Sequence, residues 1–306
     1  MHVALGSNMA FSREEDALAL AVETTRLLLA EEKPCACGRD TNGTTYANVQ
    51  DFWSAQFTRR VSSEAKLCWY SAAAQFWQDP ANCASSEDGV LGGFGCISPV
   101  DIRESARFLR ELRAVRPSLQ RTAALDCAAG IGRVAKHLLL PEFDRVDLLE
   151  QSERLLAASK AYINAEDADA SGELCATSRG VLGQRIQCGM QAFGALHDAS
   201  AAPLAWDVVW VQWAIGHLTD IDMVDFLQRC RAALRPGGVI CLKENVLGPA
   251  DDIAFEMDTE DSSVTRSLEY YRCIFRQSGL SIVLESQQDP SDWPAELLPV
   301  YMWALS

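Results

Sequence analysis

The stretch LDCAAGIGR, Leu125 to Arg133, runs from apolar residues and an acid into two glycines one residue apart, then into a helix-forming sequence. An apolar run that enters a glycine turn and opens a helix is the βα junction of a mostly parallel α/β sheet. Such a turn brings bare backbone N–H groups and a helix N-terminus up to a ligand, because glycine has no Cβ to hold it off. Gly130-Ile131-Gly132-Arg133-Val134-Ala135 matches the dinucleotide pattern GxGxxA, and Glu150 follows eighteen residues after Gly132, at the end of the next expected strand. A carboxylate there accepts hydrogen bonds from ribose hydroxyls. A nucleotide-like cofactor site is therefore the first functional expectation.

From Arg121 onward the pattern alternates. Strands are expected over Thr122–Cys127, Arg145–Glu150, Arg185–Gly189, Asp207–Trp213, Val239–Glu244, Leu280–Glu285 and Val300–Leu305. Helices are expected over Ile131–Leu140, Glu153–Ala165, Ile221–Leu234 and Ser263–Ser278. Near-continuous apolar strands between helices imply a seven-stranded, mostly parallel Rossmann-like sheet covered on both faces. Arg235-Pro236-Gly237-Gly238 stops a helix sharply before a strand, and Glu166–Gly183 is small, polar and loop-like. Upstream, Asp101–Val115 is an amphipathic helix, Asp88–Gly95 a glycine-rich loop and Ser62–Gln78 a further helix. Residues 1–60 read as an extension, helical over Arg13–Ala30 and otherwise loop-like or disordered, in front of a single domain over 61–306.

Composition narrows the classes. At 48% hydrophobic and 23% charged the chain can bury a sizeable core, and no apolar run is long enough to span a bilayer. The first thirty residues do not resemble a signal peptide. An intracellular protein, cytoplasmic or nuclear, without membrane attachment and monomeric, is expected. Eleven scattered cysteines form no CxxC pair and read as buried reduced thiols. The four histidines are equally dispersed, so no metal site is expected. A net charge of −15 disfavours non-specific nucleic-acid binding and would attract a basic partner.

Asp126 refines the cofactor. At the strand end before the glycines it would meet a pyrophosphate with the wrong sign, but it suits the ammonium of S-adenosylmethionine. The helix N-terminus and Arg133 can then take that ligand's carboxylate. D-x-x-x-G-x-G, the acid after the second strand and RPGG before a late strand resemble the class I methyltransferases. FWQ (76–78), LGGFG-x-IS (91–98), LDCAAGIGR, VQWAIGHLTD (211–220), KEN (243–245) and DSSVTRSL (261–268) resemble the protein N-terminal α-amine methyltransferases, over about Glu64 to Leu305. That family methylates proteins beginning X-Pro-Lys or X-Pro-Arg. Carried over position by position, the resemblance implies a cofactor set of Asp126, Ala128, Gly130, Gly132, Arg133, Glu150, Met190, Gln191 and Gln212.

The same resemblance implies a substrate site. His217 and Asp261 would take the proton from the amine, and Asn245 would bond the substrate backbone. Trp77 and Trp213 would wall the channel, with Leu91, Gly92 and Ile97 in the glycine-rich gate and Asp258, Asp261 and Ser263 on an acidic rim for the basic third residue. An α-amine has a pKa of ~7.7–8.0 and is mostly protonated at neutral pH, so a base is needed. By local pattern alone, His217 could be a capping or packing residue, Asp261 a helix N-cap, and the tryptophans plain core. The resemblance implies five departures: Ala128 for a family glycine, Glu150 for Asp, Cys96 for His and Phe94 for Tyr in the gate, and Leu298 for a tyrosine of the substrate wall. The alternatives are a class I methyltransferase for a small-molecule amine, and a non-catalytic binding module on the same fold.

Overall fold

The structure, a computed structural model, describes residues 16, 19–27, 36–62, 69–165, 180–194, 205–248 and 250–306. Its strands are β1 (Gly38–Asp40), β2 (Thr45–Tyr46), β3 (Ala123–Cys127), β4 (Arg145–Glu150), β5 (Val181–Gln187), β6 (Trp206–Gln212), β7 (Leu234–Leu247), β8 (Phe255–Asp258), β9 (Ser263–Ser267), β10 (Ile282–Gln287) and β11 (Val300–Leu305). The main helices are α1 (Val49–Ser62), α2 (Trp69–Gln78), α3 (Ser98–Val115), α4 (Glu153–Asn164), α5 (Asp220–Ala232) and α6 (Leu268–Gln277).

Seven strands form the expected sheet, in the order β5-β4-β3-β6-β7-β11-β10. The first five are parallel, and β11 enters antiparallel between β7 and β10. Both faces are apolar because strand residues alternate sides. Val208, Trp210, Val239 and Cys241 pack with Phe108, Leu109 and Leu112 of α3. Val209, Val211, Ile240 and Leu242 pack with Phe226 and Leu227 of α5 and with Tyr271, Ile274 and Phe275 of α6. The order of β3 and its neighbours matters most for function. β4 lies on one side of β3 and β6 on the other, so a crevice opens at their carboxyl ends, as the doubly wound topology requires.

Four strands were not anticipated. β7 is fourteen residues long, and its end leaves the main sheet to pair with β9, followed by β8, β1 and β2. This extension corrects one expectation. Ser263 does not begin a helix: Ser263–Ser267 is a strand, with Val264 and Arg266 buried between three half-buried residues. That period-2 pattern belongs to a sheet, and the helix starts one element later, capped by the Ser267 hydroxyl on the Tyr270 amide. The expected boundary near residue 60 falls inside α1. Phe52 and Trp53 of α1 are buried in the main core, and the Trp53 indole N–H donates to Asp220 at 2.7 Å. Asp220 also accepts from Tyr270 and Arg266, so one buried carboxylate ties α1, α5, α6 and β9 together.

Smaller differences have local causes. Of the expected Ser62–Gln78 helix, Ser62 ends α1, Trp69–Gln78 is α2, and residues 63–68 lie outside the described residues. Of the Arg13–Ala30 helix, residues 19–27 are helical and the remainder lies largely outside the described residues. Much of the Glu166–Gly183 loop also lies outside them, and β5 starts earlier than its apolar content suggests, at Val181. The helix after the glycine turn contains a π segment, Ala135–Leu139, closed by Leu140 N–H to Ala135 C=O at 2.8 Å. The cysteines do not all read as buried: among the described residues Cys96 is exposed and Cys37 and Cys188 are half-buried.

Candidate active site

A cavity of about 970 Å³, counting the part open to solvent, lies at the carboxyl ends of β3, β4 and β6. Of the residues singled out in the sequence, Asp126, Ala128, Gly130, Arg133, Glu150, Met190, Gln191, Gln212, Trp77, Leu91, Trp213 and His217 line it. Gly132 lies beneath it: a Cβ there would meet the Ile163 side chain at 2.6 Å, so this glycine lets α4 pack under the turn. Gly92, Ile97, Asn245, Asp258, Asp261 and Ser263 are not on its wall.

The glycine turn takes the geometry its sequence demands. Gly130 and Gly132 have φ of +56° and +83°. Ala128 is also left-handed, at φ +54°, where the chain carries a side chain that this conformation disfavours. Glu150 holds the turn: its Oε2 accepts the Gly130 N–H at 2.8 Å and its Oε1 the Ser152 N–H at 2.7 Å. Burial raises the Glu150 pKa, and those amides act against the rise. Asp126 accepts the Ala135 N–H at 3.0 Å and is 2% exposed. Burial pushes its pKa up to about 7, with the Ala135 amide and Arg133 opposing.

Beneath the cavity sits a buried ionic network that the sequence reading missed. Asp101, at the start of α3, pairs with Lys243 of β7 at 2.5 Å and with Arg133 at 2.7 Å. Both its carboxylate oxygens also accept from Gln212 Nε2, at 2.8 and 2.9 Å. Lys243 donates to Ser105 Oγ and to the Asp101 carbonyl, both at 3.0 Å. Burial pushes the Asp101 carboxyl up, but the Lys243 ammonium and the Arg133 guanidinium outweigh it and hold it below the usual range. One signal was legible: a lysine inside the apolar run VICLKEN needs a buried partner. Its partner, some 140 positions earlier, was not. Arg133 and Gln212 are thus fixed by Asp101 where they meet the cavity.

The opposite wall is aromatic and titratable. Trp77 of α2 donates its indole N–H to His217 Nε2 at 3.0 Å. That contact makes Nε2 an acceptor and puts the ring proton on Nδ1, which is buried without a hydrogen-bond partner among the described residues. Trp69 fixes the same segment by donating to the His217 carbonyl at 2.6 Å. Behind His217, Asp261 Oδ2 lies 4.0 Å from Nε2, and Asp261 Oδ1 accepts the Ser263 N–H at 2.9 Å. Asp261 therefore caps a turn between β8 and β9, not a helix. Burial lowers the His217 pKa, and the Asp261 carboxylate and Ser262 backbone oppose it without reversing it. Burial raises the Asp261 pKa against the pull of His217. Trp213, at φ +50°, lies 5.8 Å from both Arg133 and Lys243 and 6.2 Å from Trp293. Its buried indole N–H has no hydrogen-bond partner among the described residues.

Comparison with known proteins decides the family. Residues 65–306 match the family model described as AdoMet-dependent proline di-methyltransferase. The chain belongs to this family. A rat relative named N-terminal Xaa-Pro-Lys N-methyltransferase 1 is 39% identical over 238 residues, which cover 78% of this chain and 95% of the relative. A Dictyostelium discoideum relative, alpha N-terminal protein methyltransferase 1, is 35% identical over 272 residues, 88% of this chain and 90% of its own. Among solved structures, a SAM-dependent methyltransferase from Leishmania major is 34% identical with a TM-score of 0.72, over 89% of this chain and 96% of that one.

As an AdoMet-dependent methyltransferase the family member needs a site for the cofactor, and the residues present fit one. The turn at Gly130 keeps a ligand-facing backbone free of Cβ atoms, and only Val90 stands within 4 Å of where one would be. Two carboxylates, Asp126 and Glu150, bracket it. An unpartnered indole N–H from Trp213 adds a buried donor on the cavity wall.

Proposed function

We propose that this protein methylates the α-amino group of proteins with an exposed X-Pro-Lys or X-Pro-Arg N-terminus. The supporting observation is the Trp77–His217–Asp261 chain at the edge of the cofactor cavity, which brings an aromatic wall, a neutral imidazole and a carboxylate of raised pKa together from three separate elements. The named relatives act on Xaa-Pro-Lys N-termini, and the family match, residues 65–306, includes Trp77, His217 and Asp261. Residues 61–306 are the catalytic unit, with the preceding strands and helix docked onto it. The partners are the basic tails of protein substrates, drawn by the −15 net charge. Among the described residues no helix is long and apolar enough to cross a membrane. The protein works in the cytoplasm or nucleus.

S-adenosylmethionine supplies a methyl group on a sulfonium, so the chain need only position an amine and remove its proton. On this reading, Gly130, Glu150, Met190, Gln191 and Gln212 hold the cofactor, with Asp126 toward its ammonium. Ala128, Gly132 and Arg133 shape the turn. Asp261 is the better proton acceptor. Its pKa is shifted toward that of the amine, whereas the His217 lone pair is occupied by the Trp77 N–H and its basicity is reduced. His217 packs beside that carboxylate, its Nε2 4.0 Å from Asp261 Oδ2. Asn245 orients the substrate backbone, and its own N–H is tied to Glu244 Oε1 at 3.0 Å. Leu91, Gly92 and Ile97 form the gate, Trp77 and Trp213 the channel walls, and Asp258 and Ser263 the rim for the third-position cation.

The test is incubation of an X-Pro-Lys hexapeptide with the protein and S-adenosylmethionine, read by tandem mass spectrometry. One to three methyl groups on the α-amine are expected. Absence of methylation across varied first residues, with S-adenosylmethionine still binding, would overturn the proposal.

A further inference from the structure

Asp258 and Asp261 flank a half-buried β8–β9 turn, in which Glu260 is exposed and Ser262 is buried. The turn is held from outside the family's matched region. β1 pairs parallel with β8, aligning Gly38, Arg39 and Asp40 with Phe255, Glu256 and Met257. The Ala254 N–H donates to Cys37 C=O at 2.7 Å, and the Thr41 N–H to Met257 C=O at 2.9 Å. Arg39 forms an ion pair with Glu256. Beyond the strand, the tip of the β1–β2 hairpin reaches the turn itself. Thr41 Oγ1 accepts the Thr259 N–H at 3.1 Å and shares a hydrogen bond with Thr259 Oγ1 at 3.0 Å. Asn42 Nδ2 donates to Thr259 Oγ1 at 3.1 Å.

The hairpin is itself rigid. Asp40, 4% exposed, accepts the N–H groups of Asn42 and Thr44 and the Tyr46 hydroxyl. Gln56 of α1 donates to that hydroxyl at 3.3 Å. The turn it grips has a left-handed non-glycine residue, Ser262 at φ +59°, immediately after Asp261. Such a residue persists only where the surroundings over-determine it. The clamp at Thr259 and the Asp261–Ser263 bond supply constraint on both sides of it.

We infer that Thr41 and Asn42 are positioning residues for peptide binding, fixing the turn that presents Asp258 and Asp261 to the substrate's basic tail. The inference rests on the substrate reading given above. It places a determinant of peptide affinity in residues 38–46, ahead of the family match at residue 65.

The experiment compares Thr41→Val, Thr41→Ser, Asn42→Ala and Asp261→Asn in the full chain, using the X-Pro-Lys hexapeptide. KM and kcat come from mass-spectrometric rates and S-adenosylmethionine affinity from calorimetry. Thr41→Val removes the hydroxyl at nearly constant shape, and the peptide KM is expected to rise about threefold to tenfold, the range for losing one or two hydrogen bonds. Cofactor affinity should stay within about twofold, and Thr41→Ser should restore the wild-type KM. Asn42→Ala, on the exposed tip, should raise KM about twofold to threefold and serves if Thr41→Val fails to fold. A role confined to stability would lower the melting temperature of Thr41→Val with KM unchanged. That result, with Asp261→Asn impaired, overturns the inference alone. A fully active Asp261→Asn would instead remove the substrate reading, and this inference with it.

Discussion

The proposed cofactor cradle, at its glycine turn, and the proposed substrate rim are built by opposite means. The cradle is local: Asp126, Ala128, Gly130 and Glu150 come from one βαβ unit, and Glu150 closes the turn by accepting the Gly130 N–H. Its two acids are buried, and backbone amides occupy them. The rim is assembled from distant pieces. Trp77 comes from α2, His217 from the segment after β6, and Asp261 from a hairpin that β1 and the Thr41–Asn42 tip hold in place. A site made within one unit is fixed as soon as that unit folds. A site made from four elements depends on every contact between them, and so is easier to retune.

The largest effect should fall on the rim. Asp261→Asn keeps the shape and loses the proton acceptor, so kcat should fall about 10²–10⁴-fold with S-adenosylmethionine affinity nearly unchanged. Steady-state rates with calorimetry check it; loss of cofactor binding would mean the two regions are not separable. Lys243→Met should act on the cradle's foundation. It leaves Asp101 with one cation in a buried site, and a loss of about 3 kcal/mol in denaturant unfolding is expected. An unchanged midpoint would show that Arg133 suffices.

A third test separates the regions by pH. Asp126, with a pKa of about 7 in the free protein, must ionise to face an ammonium. S-adenosylmethionine affinity should therefore rise as pH increases toward about 7, by up to about tenfold per unit, then level off. Calorimetry across pH reads it directly, and a flat profile would remove Asp126 from the cofactor site. The same raised pKa means that the native state keeps a proton the unfolded chain releases, so this group's contribution to stability falls as pH rises from about 4 to about 7. The smallest effect belongs to Ala128→Gly. Relief of a left-handed alanine, partly offset by the greater entropy of unfolded glycine, should stabilise by about 1 kcal/mol. Thermal unfolding should show a rise of roughly 2 °C.

Legibility in the sequence followed the same divide. The GxGxxA turn, Glu150 and the strand–helix alternation could be read because each rests on residues adjacent in the chain, where glycine stereochemistry and apolar periodicity act directly. DSSV misled because Asp261 ahead of serines and an apolar residue suits a helix N-cap as well as a turn into a strand. Pairing of Val246 with Arg266 and burial of Arg266 against Asp220 decided for the strand. β1, three residues long and polar, carried no strand signal at all, since its pairing with β8 comes from the fold and not from its own composition.

The sequence by itself determined the α/β class, the cofactor turn with its two acids, and the identity of the residues around it. It also identified which side chains differ from the family pattern. Tertiary structure decided that Asp101 anchors Arg133, Lys243 and Gln212, that Trp77 occupies the His217 lone pair, and that an N-terminal hairpin grips the turn bearing Asp261. Those contacts join residues about 30 to more than 200 positions apart. No local periodicity encodes them, because burial of charge and closure of long loops are decided only when the separate elements pack.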